Sequence, residues 1–160
     1  MRSIALALVV VAFAGGLAAQ GRIPAAEEVN SCIAAQSAAQ APAADCVARA
    51  HEPCLDLAAR APAAALQCFL TAKADWSDRI AARMEFVAGA GGEDIAAIAG
   101  IEVKYDLLQN LLQCDRMESL TLLREDPSEA TALQRARCEA VAAGLAYAKL
   151  VLQSRSLEAP

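Results

Sequence analysis

The chain has 160 residues, of which 14 are basic and 19 acidic, for a net charge of −5. That balance argues against nucleic-acid binding, which sets Lys and Arg against phosphate, and favours a basic protein as partner. Alanine, the best helix former, supplies 41 residues, and no stretch alternates apolar and polar, so the chain reads as all-α.

Residues 1–19 have the layout of a cleaved signal peptide. Arg2 precedes an apolar run from Ile4 to Phe13, and small residues follow from Ala14 to Ala19. The run is shorter than the roughly 20 residues that span a bilayer. No later segment is longer and as apolar, so no membrane span is expected in the mature chain. Loss of Arg2 with the leader leaves 13 basic and 19 acidic residues, a net of −6. What remains reads as one domain over residues 22–157, periplasmic or secreted.

A first short helix is expected from about Pro24 to Gln36, with Glu27 and Glu28 in the first turn, where the helix dipole favours them. Ser37 to Pro42 reads as a loop. A second helix is expected from about Ala43 to Ala59, with a kink or break near Glu52 imposed by Pro53. The third helix begins at Pro62. Its apolar stripe is Leu66, Phe69, Leu70, Trp76, Ile80, Met84 and Val87, interrupted by Lys73. It should stop at the breaker Gly89-Ala90-Gly91-Gly92. The fourth helix opens at Glu93 and Asp94 and ends near Arg124, carrying Ile95, Ile98, Ile101, Tyr105, Leu108, Leu112 and Leu120 as its stripe. Asp126-Pro127-Ser128-Glu129 starts the fifth, with Leu133, Cys138, Val141, Leu145 and Leu152. The sum is a small antiparallel bundle of four to five helices.

The cysteines are Cys32, Cys46, Cys54, Cys68, Cys114 and Cys138, all beyond the leader. Behind a secretory signal they read as a disulfide framework. In an antiparallel hairpin, residues equidistant from the turn face each other. Cys114 and Cys138 lie symmetrically about Asp126, Cys54 and Cys68 about Ala61, and Cys32 and Cys46 about Ala39. The spacing therefore predicts the bridges Cys32–Cys46, Cys54–Cys68 and Cys114–Cys138.

No catalytic residue, cofactor or metal is expected. The sole histidine, His51, lies near Cys46 and Cys54, but the chain has no C-x-x-C pair of the kind that holds zinc or runs thiol exchange. The glycine run follows a helix rather than a strand, which is the wrong context for a phosphate loop. Asp75 and Asp78 read as a solvated face rather than a glycosidase dyad. Trp76 and Tyr105 read as core or half-buried side chains.

The run Cys46-x7-Cys54-x13-Cys68-x7-Trp76, with Cys114 and Cys138 as a later pair, resembles the lysozyme-inhibitor LprI-like domain family. At positions where most members carry polar or aromatic residues, this chain has Ala72, Ser77, Ala81 and Met84. The resemblance implies an exported helical domain over about Cys32 to Leu150 that binds and inhibits a lysozyme-type muramidase. The acidic residues placed to meet such a basic enzyme are Glu93, Asp94, Glu102 and Asp106. A structural or stress-related cell-envelope protein with no enzyme target is the alternative.

Overall fold

The computed structural model describes residues 23–158, so the leader expected over residues 1–19 lies outside the described residues. The chain forms α1 (Ala26–Ala38), α2 (Ala44–Ala50), α3 (Glu52–Ala58), α4 (Pro62–Leu122) and α5 (Glu129–Gln153), closed by a 3-10 turn at Arg155–Leu157. No strand is present among the described residues. The fold is an all-α bundle stapled by disulfides.

Prolines and a serine punctuate the helices. Pro53 has no N–H to continue α2, so the single helix expected over Ala43 to Ala59 divides at His51, and Pro53 sits in the first turn of α3. Pro62 opens α4 in the same way. Ser128 caps α5 by accepting the Thr131 N–H at 3.2 Å.

α4 reverses at one residue. Gly92 has φ 81° and ψ 176°, a conformation that favours glycine, while Gly89 to Gly91 remain helical. The expected breaker is thus a single-residue reversal rather than a four-residue loop. It divides α4 into a first arm before Gly92 and a second arm after it. A Cβ on Gly100 would lie 3.7 Å from Met84 Cε, so the arms fold back on each other. Lys73 pairs with Glu139 and Arg83 with Ser154, so the first arm runs parallel to α5. Cys114 joins Cys138, and Lys149 pairs with Glu102, so the second arm runs antiparallel to it.

The bridges are Cys32–Cys46, Cys54–Cys68 and Cys114–Cys138, the pairs predicted by turn symmetry. They tie α1 to α2, α3 to the first arm, and the second arm to α5. Helix packing around α5 is close because its inner face is small: Ala136, Ala140, Ala143 and Gly144 are buried. A Cβ on Gly144 would stand 2.6 Å from Val47 Cγ1 and 3.1 Å from the Trp76 ring, so no larger residue fits without movement.

One expectation about the stripes is corrected, that for the second arm. On the first arm Lys73 interrupts the stripe as expected and reaches across to Glu139 at 2.7 Å. Burial pushes the Glu139 carboxyl up, but Lys73 and Arg135 together hold it below the usual range. On the second arm the large apolar stripe faces outward. Ile98 is 63% exposed, Tyr105 67% and Leu112 55%. The inward face is Ala96, Ala99, Val103, Leu107 and Cys114. The bridge fixes this phase. Cys114 must point at Cys138, and at about 100° per residue Ala96, Val103 and Leu107 point with it while Tyr105 points away.

Candidate protein-binding surface

The residues best suited to chemistry are built into the core. His51, at the joint between α2 and α3, is 2% exposed, and Trp76 from the first arm is fully buried. Trp76 Nε1–H donates to His51 Nε2 at 2.9 Å. The Tyr147 ring of α5 packs on Trp76 with centroids 5.5 Å apart, and its hydroxyl donates to Asn30 Oδ1 of α1 at 2.7 Å. Phe69 closes the cluster against His51 at 5.7 Å between centroids. Four helices therefore meet on one aromatic hub. All six cysteines are disulfide-bonded.

This environment holds His51 neutral. Burial, with repulsion from Arg137 adding to it, lowers its pKa from 6.5 to about 4. The unfolded chain then takes up a proton near pH 6.5 that the folded chain refuses until about pH 4. The stabilisation is complete above pH 6.5 and is lost as pH falls toward 4, by roughly 3 kcal/mol in all. Urea unfolding at pH 7, 5.5 and 4 should show this slope. His51→Gln keeps an acceptor for the Trp76 N–H but has no proton to gain, so it should flatten the slope; an unchanged slope would remove His51 as its source.

Of the acidic residues expected to form a contact surface, two are already engaged. Glu102 and Asp106 hold Lys149 between them at 3.1 and 2.8 Å. Glu93 and Asp94 are exposed just beyond Gly92. At about 100° per residue, Glu93 and Asp106 lie some 140° apart around the helix. The four do not make one surface.

A different set of acids does converge. A cleft of about 540 Å³ opens between α1, α2 and α3, lined by Glu28 of α1 and by Glu52 and Asp56 of α3. Its wall is the Cys32–Cys46 bridge, with Arg49 laid over it, Nη2 2.6 Å from Cys32 Sγ. The three carboxylates are each exposed, and Arg49 is the single cation among the lining residues. They come from segments 24 to 28 residues apart, and no local pattern marked them. The available signal was the predicted Cys32–Cys46 bridge, which brings Glu28 alongside the α2–α3 joint.

Fold and surface together define a disulfide-stapled helical bundle with an acidic cleft among its first three helices and an apolar face on its second arm. Compared with known proteins, the chain matches no family model, no curated protein and no solved structure.

Proposed function

We propose that the chain is an exported, noncatalytic protein-binding domain that takes a basic protein of the lysozyme class at the acidic cleft. The observation that carries this reading is the convergence of Glu28, Glu52 and Asp56 on a cleft braced by a disulfide. Rigid bracing lowers the ordering cost of binding. Clustered carboxylates steer a basic partner and fix its orientation. The chain's net charge of −5 adds long-range attraction. The sequence resemblance supplies the partner class, and inhibition would follow from occlusion of that enzyme's substrate cleft. The use of His51 and all six cysteines in the scaffold supports a noncatalytic role.

Calorimetric titration of the oxidised protein into a lysozyme at low salt should give saturable binding that weakens as salt rises. Glu28→Gln with Glu52→Gln and Asp56→Asn should weaken it roughly tenfold or more, mainly through the association rate. Glu93→Gln with Asp94→Asn should leave it unchanged. Absence of binding at low salt would sink the lysozyme reading and leave the structural envelope role as the better one.

A further inference from the structure

The outward stripe of the second arm has a spacing that solvent exposure does not require. Ile98, Ile101, Tyr105, Leu108 and Leu112 follow one another at steps of three, four, three and four. This is the a/d repeat by which one helix seats against another. All five are 47–67% exposed, and the arm's opposite face is the one packed on α5. A monomeric soluble protein rarely leaves so continuous an apolar face to water.

We infer that this face pairs with the same face of a second copy of the chain, antiparallel, about a two-fold axis at the level of Asn110. The flanking residues choose the occupant. In an antiparallel helix pair, the same flank of each helix meets itself. One flank of the stripe reads Ile95, Glu102, Gln109, Arg116, Leu123, at steps of seven. Turned about its own middle, it sets Ile95 against Leu123, Glu102 against Arg116 and Gln109 against its own copy. On this flank each apolar residue meets an apolar one, and each charge meets its opposite. The other flank reads Lys104, Leu111, Glu118, and the same axis sets Lys104 against Glu118 and Leu111 against Leu111. Within the stripe, Leu108 then meets Leu112 of the other copy and Ile98 meets Leu122, while Ile101 lies opposite Ser119 and Tyr105 opposite Asp115.

Of these charges the two cations are uncommitted, and the two carboxylates would be shared with Lys149 and Arg135. Lys104 and Arg116 make no ion pair within the chain among the described residues. Glu102 and Glu118 keep side-chain exposures of 49% and 23% beside Lys149 and Arg135. Leu123, 81% exposed at the end of the arm, acquires a partner in Ile95. A parallel pair forfeits the match, because it sets Lys104 near Gln109 and Leu111 near Arg116. The seam from Ile95 to Leu123 is about 42 Å long at 1.5 Å per residue. This face is separate from the acidic cleft, so dimerisation and lysozyme binding stand or fall independently.

Sedimentation equilibrium of the oxidised protein without its leader should give twice the monomer mass. Leu108→Glu with Leu112→Glu should give a monomer of unchanged helicity by circular dichroism. Lys104→Glu with Arg116→Glu leaves the stripe intact but sets like charges across the axis, and should weaken the dimer roughly tenfold or more. A wild-type monomer at every soluble concentration overturns the inference. So does a dimer that survives Leu108→Glu with Leu112→Glu. A dimer indifferent to Lys104→Glu with Arg116→Glu overturns the antiparallel register.

Discussion

Full reduction of the disulfides is expected to unfold this protein at room temperature. The bridges close sequence separations of 14, 14 and 24 residues. Each closure removes freedom from the unfolded chain and contributes roughly 3 kcal/mol. The three loops follow one another without overlap, so their contributions add to about 9 kcal/mol. That is comparable with the entire net stability of an ordinary domain, about 5–15 kcal/mol. The core cannot offset the loss. Among the described residues, nine of the 25 buried apolar side chains are alanines and four are half-cystines. Alanine buries little area, so its share of the hydrophobic driving force is small. Far-UV circular dichroism with and without a phosphine reductant measures the effect. Retention of full helicity and a cooperative melt after complete reduction would show that helix packing alone suffices. Cys114→Ser with Cys138→Ser alone should leave a folded but weaker protein, because the first two staples remain.

Trp76→Ala is expected to be the most damaging single substitution. The ring is fully buried and touches each neighbour differently. Its N–H serves His51, its face stacks near Tyr147, and Arg79 stands over it at 5.0 Å. Emptying such a site costs roughly 3–5 kcal/mol through lost transfer energy and the cavity left behind. The buried His51 Nε2 also loses its donor, which costs a further ~1–3 kcal/mol. His51 Nδ1 has no partner either, so the ring would be left with neither nitrogen satisfied. Trp76→Phe separates the two terms, because it keeps most of the packing and removes only the N–H. Urea unfolding at pH 7 should rank wild type above Trp76→Phe and Trp76→Phe above Trp76→Ala. A loss below about 1 kcal/mol for Trp76→Ala would mean that the hub repacks readily.

Much of the architecture was legible in one dimension. The break at Pro53, the start at Pro62, the reversal at the glycines and the cap at Ser128 are local steric and hydrogen-bonding facts. The cysteine pairing followed from the same turns. The phase of the second arm was misread because hydrophobic size alone selects the Ile, Tyr and Leu face for burial. The signal that overrules it was present. Cys114 had to face Cys138, and its phase is shared by Ala96, Val103 and Leu107 rather than by Leu108 or Leu112. Two apolar faces on one helix, one small and one large, mean two contacts: the small face fits the alanines of α5, and the large one remains on the surface.

The sequence by itself determined the helical class, the positions where helices stop, and the three bridges. These depend on backbone sterics and on distances counted from a turn, both of which are local. The tertiary structure alone decided that His51 is sealed against Trp76, that Glu28 joins Glu52 and Asp56 across a cleft, and that Glu102 and Asp106 are held by Lys149. Each of these depends on how separate helices cross, and no period along the chain encodes a crossing.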